Sequence, residues 1–490
     1  MSSGRPFVGS KGCLLRRGDS TRAEFRGTIL LASDKCVGYR NGHVDPRIGN
    51  GAHVNGCLQP PTGTALQVSR RTGQSSKGHG SVNRHSLIGA LSLAQARTAT
   101  DALFGMVRPE AFYDRPVSER HRTIFYIGHL EAFDWNLVSQ AVGVPSFHPE
   151  FDRLFAFGID PEPGQSPQDT RSDWPEIPEV QRYNIRARQA VDDLANQVSE
   201  PLLSVALEHR LMHAETFAYL LHHLTTSQKD IPPFEPWPPT PTPVHTLIEI
   251  SGGEVTLGRR RAHLDGQYQF GWDNEFDGHE VSVSAFAMSK YKVTNGMYLE
   301  FVRAGARPPH FWTWREGQWR WRAMSGTVPL PMDWPVYVTH EEASAFAVWT
   351  GKRLPTEAEF HRAAYGTPNG EEERTYPWGD DAPDTRRGNF NGTRWDPIPV
   401  TATPLGDSAF GISQLVGNGW EWTSTVFQPF PGFQPLSCYP GYSARFFDGD
   451  HYVLKGASSR TDAGLLRRSF RNWFRPNYPY VYAGFRCVED

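Results

Sequence analysis

Between Ile231 and Pro243 the chain reads Ile231-Pro232-Pro233-Phe234-Glu235-Pro236-Trp237-Pro238-Pro239-Thr240-Pro241-Thr242-Pro243. Proline lacks a backbone donor and fixes its own φ, so neither a helix nor a sheet ladder can run through this segment. The stretch is expected to be a stiff, extended spacer, with separately organised structure on either side. Length agrees, because 490 residues exceed what one ordinary core holds. The sequence divides into a basic tail over 1–85, a helical bundle over 86–228, the linker over 229–245 and a second domain over 246–490.

The segment 86–228 carries helical patterns over Ser86 to about Phe104, then over roughly 115–142, 178–198 and 200–225. A long loop containing Gly158-Ile159-Asp160 separates the second from the third. Four helices with one long crossover make a bundle, and facing helices of a bundle are good places for a metal. The last helix contains Glu208-His209-Arg210-Leu211-Met212-His213-Ala214-Glu215. Histidines four apart on a helix project from one face, about one turn apart, which suits two neighbouring positions on one metal ion. A third ligand must come from elsewhere. His129, in the Pro-free stretch Tyr126-Ile127-Gly128-His129-Leu130-Glu131, is the candidate from a neighbouring helix. A bare His-x3-His pair is more often two hydrogen-bonded helix residues, so the spacing needs support from the rest of the chain.

Charge and composition exclude several classes. The formal net charge is −3, which argues against a nucleic-acid binder. That value hides an asymmetry: residues 1–85 hold 13 Lys and Arg against 4 Asp and Glu, and the remainder holds 37 against 49. The tail is rich in Gly, Ser, Arg and Asn without a sustained period. It reads as disordered, with a targeting segment or a mis-assigned start as alternatives. No apolar run approaches the ~18 residues of a membrane span. Three of five cysteines (Cys13, Cys36, Cys57) fall in the tail, leaving Cys438 and Cys487, so a reducing, cytoplasmic setting is expected.

Beyond His245 the character changes. Twelve of the 15 tryptophans lie here, among many Gly and Pro residues. Helices are expected over Asn295–Gly305 with Thr294 as N-cap, over His340–Thr350 and over Thr356–Tyr365. The last opens with Thr356-Glu357-Ala358-Glu359, a capping-box spacing. An irregular, loop-rich α+β fold held by aromatic packing follows.

In order, Gly351-Lys352-Arg353-Leu354-Pro355-Thr356-Glu357-Ala358-Glu359-Phe360, Tyr376-Pro377-Trp378-Gly379, Gly417-Asn418-Gly419-Trp420-Glu421-Trp422-Thr423 and Ala483-Gly484-Phe485-Arg486 occur across about 245 residues. Together they resemble the formylglycine-generating-enzyme (sulfatase-modifying factor) fold, which is related to lectin-like modules. Formylglycine formation itself is disfavoured, because the stretch Gly456–Leu466 lacks that activity's cysteine pair. A His-bearing DinB-like four-helix bundle ahead of this fold is similar to the non-haem iron sulfoxide synthases of thiohistidine biosynthesis. The resemblance implies Fe(II) held by His129, His209 and His213, with Glu215 as an outer carboxylate. It implies O2 as co-substrate, hercynine (trimethylated histidine) as acceptor and a thiol as sulfur donor. Three neutral imidazoles leave the opposite face of a metal open and carry no charge to offset a bound thiolate.

Trp422–Phe433 and Tyr439–Gly449 resemble the ergothioneine branch. The run Arg471-Asn472-Trp473 matches a motif that contacts hercynine there; an indole face suits a quaternary ammonium, and an amide suits a carboxylate or imidazole. Three departures matter. Forms that select γ-glutamylcysteine place an Asp directly after Asn-Trp and an Arg four residues later; here those positions are Phe474 and Tyr478, as in forms using free cysteine. The Tyr-Tyr pair of many members is absent from Leu154-Phe155-Ala156-Phe157, leaving Tyr439 and Tyr442 as candidate proton donors. The Gly158-Ile159-Asp160 run is similar to the ovothiol branch. Alternatives therefore remain: an ovothiol- or selenoneine-type synthase, a DinB-like metal-dependent thiol transferase, or a non-catalytic lectin-like ligand-binding protein. Nothing in the sequence fixes the oligomeric state.

Overall fold

The computed structural model describes residues 86–156, 167–238, 240–261, 270–370 and 373–490. The tail over 1–85 and the Gly158-Ile159-Asp160 run lie outside the described residues. All described residues belong to one compact unit.

Among the described residues, the α-helices of the first part are α1 (Ser86–Phe104), α2 (Thr123–Val142), α3 (Pro149–Leu154), α4 (Ile177–Leu194) and α5 (Glu200–His223). The four long ones pack pairwise, α1 on α5 and α2 on α4, with α2 also against α5. Helix α2 starts eight residues later than the periodicity predicts. Pro116 disfavours helical geometry at Arg115, and Arg115 and Arg122 instead both pair with Asp169, at 2.6 and 2.9 Å. The helix stops at Gly143, whose φ of 78° is the left-handed cap glycine supplies. Helix α4 ends at Leu194 rather than 198, giving way to a 3-10 turn over Ala195–Gln197. Pro201 sits in the first turn of α5, where its missing N–H costs nothing.

One buried ion pair sets the register between α2 and α5. Arg210, fully buried, donates to both oxygens of Glu131 at 3.0 Å and to Asp134 at 2.6 Å. Glu131 lies two residues from His129, and Arg210 follows His209 directly, so the pair fixes which imidazoles meet.

The proline-rich segment is not a free spacer. Its Thr240 donates to Asp333 through both N–H and hydroxyl, at 2.6 and 2.7 Å. The Glu235 carbonyl accepts from Arg394 at 2.9 Å, and Trp237 lies under the same guanidinium. Extended proline geometry leaves carbonyls and alternate side chains available, and the following domain uses them.

In the second part, α6 (Asn295–Arg303), α7 (His340–Trp349) and α8 (Glu357–Tyr365) appear where capping chemistry places them. Thr294 accepts from Met297 N–H, and Thr356 and Glu359 form a reciprocal capping box. Among the described residues, four short sheets complete the α+β fold. The sheet that matters for the site runs in the order Asn472–Phe474, Tyr452–Ala457, Gly419–Val426, Ala483–Gly484, the last pair parallel and the others antiparallel. At its centre Glu421 is fully buried between Lys292 (2.5 Å) and Arg486 (2.6 Å). Gly419 has φ 117°, and a Cβ there would stand 2.7 Å from the Tyr337 ring. The Gly-Asn-Gly-Trp-Glu and Gly-Phe-Arg motifs therefore build this sheet. Among the described residues, no helix is long and apolar enough to cross a membrane.

Candidate metal centre and substrate cavity

His129 on α2 and His209 and His213 on α5 converge, with one ring nitrogen of each lying within 4.8 Å of the others. Ring centroids are 5.2 Å (His129–His209), 4.8 Å (His129–His213) and 4.4 Å (His209–His213) apart. His129 Nδ1 lies 2.7 Å from the Phe155 carbonyl. That contact makes Nδ1 the donor and leaves Nε2 as a lone pair facing the other two rings. Gly128 permits it: the Phe155 ring lies where a Cβ would be, 2.4 Å away. Phe133 stacks on His209 at 3.5 Å and 10°, fixing that ring's plane.

Several ring nitrogens here have no protein partner: His129 Nε2, both nitrogens of His209 and His213 Nδ1. Burial holds His129 down to about 4 and keeps His209 and His213 well below the usual imidazole range. All three are neutral at pH 7 and act as lone-pair donors. Unpartnered buried nitrogens converging from neutral rings are what a three-His metal centre requires, so the residues present fit the iron expected from the sequence.

Helix α5 presents a second stripe to the C-terminal fold, seven residues apart. Glu208 accepts from Arg467 at 2.7 and 2.9 Å and from Trp272 Nε1 at 2.8 Å. Glu215 accepts from Trp420 Nε1 (2.6 Å), Ser458 (2.5 Å) and Thr461 (2.7 Å). His222 meets the Tyr482 hydroxyl at 3.0 Å and the Arg322 carbonyl at 2.9 Å. Glu215 is thus a correction to expectation. Its carboxylate clamps the bundle to the C-terminal domain, and the outer contact on the histidines comes from Phe155.

Against His209 and His213 lies a cavity of about 200 Å³, walled by α5 and by the loops and sheet of the C-terminal domain. Tyr439, Tyr442, Arg471, Asn472, Trp473 and Phe474 all line it. Tyr439 is the nearer tyrosine, its ring 6.2 Å from His209 and 5.3 Å from Phe133. The Tyr442 ring is stacked on Trp272 at 3.9 Å, and its hydroxyl donates to Met212 Sδ at 3.2 Å. Trp473 lies on Phe427 at 4.3 Å and 7°. Asn472 uses its side-chain oxygen on the Trp473 N–H at 2.9 Å. Arg471 is buried, with its guanidinium on Glu357 (3.1 Å) and on the Asn274 and Gln428 carbonyls, so it braces the wall. Tyr478 stacks on Phe474 at 5.3 Å and 7°.

Two cavity cations were not found from the sequence, Arg120 and Arg445. Arg120 sits in a loop far from any motif, whereas Arg445, in a 3-10 turn over Ala444–Phe446, lies inside the Tyr439–Gly449 stretch; no spacing rule connects either to His213 or Trp473. The missed His451 lines the same cavity and is held by Asp448 at 3.0 Å.

Residues 233–490 match the family model of the sulfatase-modifying factor enzyme 1-like domain. A hercynine oxygenase of Mycobacterium tuberculosis is 39% identical over 44% of this chain and 56% of its own length. The hercynine oxygenase of Mycolicibacterium smegmatis is 30% identical over 84% of this chain and the whole of its own length. The chain belongs to the ergothioneine sulfoxide synthase family. Ergothioneine biosynthesis protein 1 of Neurospora crassa is 26% identical over 79% of this chain and 56% of that protein. The formylglycine-generating-enzyme-like fold of the second half is thereby established.

Proposed function

We propose that this chain is a sulfoxide synthase of ergothioneine biosynthesis, dependent on Fe(II) and O2, that joins the sulfur of cysteine to the imidazole carbon of hercynine. The observation that carries the reading is the convergence of His129, His209 and His213, with unpartnered nitrogens, at the base of a cavity walled by the C-terminal domain. Iron, when bound, supplies O2 activation and the redox chemistry of C–S and S–O bond formation. The helical half is read as a DinB-like bundle that supplies every ligand.

The chain's own residues orient and protect. Phe155 and Phe133 lock two imidazoles, so ligand geometry is set before substrate arrives. The exposed part of Trp473, backed by Phe427, offers an aromatic surface to the trimethylammonium of hercynine. Tyr439 is the hydroxyl best placed to deliver a proton beside His209, and Tyr442 holds Met212 and the cavity wall. Phe474 and Tyr478 form an uncharged stack where a glutamyl group needs both an anion and a cation, which favours free cysteine. The test is direct: anaerobically purified protein is loaded with Fe(II), mixed with hercynine and cysteine, and exposed to air. A hercynine–cysteine sulfoxide, detected by mass spectrometry, is expected. Iron-loaded protein that forms no such adduct overturns the reading.

A further inference from the structure

Among the described residues that line the cavity, the one that carries sulfur is Met212. It follows His209 by three residues on α5 and directly precedes His213. Residues three apart on a helix have Cβ atoms about 5–6 Å apart, so Met212 and His209 are neighbours on one side of α5. The sulfur is fixed from the opposite wall, where the Tyr442 hydroxyl donates to Met212 Sδ at 3.2 Å. Tyr442 is itself stacked on Trp272 at 3.9 Å, and Trp272 Nε1 donates back to Glu208 of α5 at 2.8 Å. The thioether is therefore held in the wall of the cavity, on the helix that carries two of the three histidines.

Other sulfurs of the chain are placed differently. Met288 and Met324 are buried in the core of the C-terminal domain, and Met332 is exposed on its surface. Cys487 is buried, and Cys438 is exposed and does not line the cavity. A thioether accepts an oxygen atom without giving up a proton, and it becomes a sulfoxide in one step. That is the change the proposed reaction makes at a substrate sulfur. In Met212 the wall of the reaction cavity holds a group of the same reactivity.

We infer that Met212 is a self-oxidation site: when thiol and O2 are present without the imidazole acceptor, an oxygen atom is transferred to Met212 Sδ. The inference rests on the reaction proposed above. Its balance closes with that reaction's own reactants. One atom of O2 forms the new S–O bond, and the other leaves as water. Two thiols supply the two electrons and the two protons, and they become a disulfide. The product, methionine sulfoxide, is polar and chiral where the thioether was apolar, so the modification alters the wall beside His209.

The experiment incubates the full chain, loaded with Fe(II), with L-cysteine in air, with catalase present to remove free peroxide. Half of the sample also receives hercynine. Both halves are digested and the methionine-containing peptides are weighed by mass spectrometry. Without hercynine, the Met212 peptide is expected to gain about 16 Da, or about 18 Da under 18O-labelled O2. With hercynine, which diverts the oxygen to substrate sulfur, the modified fraction is expected to fall at least about fivefold. Met332 is expected to keep its mass in both halves, since its exposure makes it the reporter of oxidation in bulk solution. His213→Ala, which removes a metal ligand, is expected to leave the Met212 peptide unmodified. An unmodified wild-type Met212 peptide overturns the inference. So does oxidation of Met212 and Met332 to the same extent, or oxidation of Met212 that persists in His213→Ala. The two readings fail separately. A hercynine–cysteine sulfoxide without Met212 oxidation overturns the inference and leaves the proposed reaction standing. Oxidation of Met212 without that product overturns the proposed reaction and leaves the self-oxidation site.

Discussion

Arg210 and Glu131 face each other as a two-pronged ion pair, nitrogen to oxygen 3.0 Å on both arms, with the arginine side chain wholly out of solvent. Each partner is a near neighbour in sequence of a metal-ligand candidate. Asp134 and Arg188 extend the network, at 2.6 Å from Arg210 and 2.7 Å from Glu131. The crowding is felt at Asp134, where burial raises the carboxyl to about 6 despite Arg210 beside it. The histidines thus sit on helices whose relative register is locked by charges behind them.

Breaking that lock has a predictable cost. Arg210→Met strands the buried Asp134, leaves Glu131 with Arg188 alone, and is expected to destabilise the protein by about 3–5 kcal/mol. Iron retention is expected to fall as well, although no ligand is touched. Urea denaturation and iron content per chain measure the two effects. Removing Glu131 and Asp134 in the same protein, as Gln and Asn, should recover part of the lost stability, because the stranded charges go with the arginine. An Arg210→Met protein with wild-type stability and full iron would refute the account.

The ligands make a cleaner prediction. His209→Ala or His213→Ala is expected to abolish stoichiometric iron binding and at least about 99% of turnover, with secondary structure retained, because α5 keeps its Glu208, Glu215 and His222 contacts. Metal analysis and circular dichroism decide it. One iron per chain and full turnover in either variant would remove that residue from the centre.

What the sequence made legible follows from geometry. His209 and His213 could be paired because residues four apart share a helical face. Glu215, two residues beyond His213, could not be placed the same way. Two residues turn a helix by about 200°, so its carboxylate points to the C-terminal domain and meets Trp420, Ser458 and Thr461. His129 was a candidate from its Pro-free helical stretch, and a family resemblance pointed to the same residue. The structure supplies its physical reason, since Gly128 lets Phe155 close on the helix and bind Nδ1. The capping chemistry of α6 and α8 was local and was read correctly. Arg120 and Tyr478 are 358 residues apart and meet only because two domains dock. Glu421 and Arg486 were visible as motif residues, but sequence alone does not show that they build the sheet under the site.

The seam between the domains is expected to weaken in acid. His223 and His310 meet through Nε2 atoms 2.9 Å apart, a hydrogen bond that needs at least one neutral ring, and Arg322 donates to the His310 carbonyl at 3.3 Å. Burial holds His223 down to about 3 and His310 to about 4. Both folded values lie below the unfolded value of about 6.5. The unfolded chain therefore takes up protons first, and stability is lost as pH falls from about 6.5 toward 4. For His223 alone the loss at pH 5.5 is on the order of 1 kcal/mol. Thermal melts at pH 7.5 and 5.5 should show a smaller shift for His223→Gln than for the wild type. Equal shifts would show that the seam does not titrate.

Thiol choice depends on what surrounds position 474. Phe474 and Tyr478 stack face to face, and among the described residues that line the cavity with Phe474 the acidic one is Glu215, which is already bound by three donors. The amine of a γ-glutamyl group would leave water without a fixed anion to meet it. An unmade charged hydrogen bond costs about 1.5–3 kcal/mol, or roughly one to two decades of selectivity. The expected outcome is a kcat/KM for cysteine at least about tenfold above that for γ-glutamylcysteine, measured with hercynine under air. Phe474→Asp should narrow the gap by giving the amine a partner. A wild-type preference for the dipeptide would mean that a charge from elsewhere, Arg445 at the rim being the nearest candidate, does the work assigned here to the missing pair.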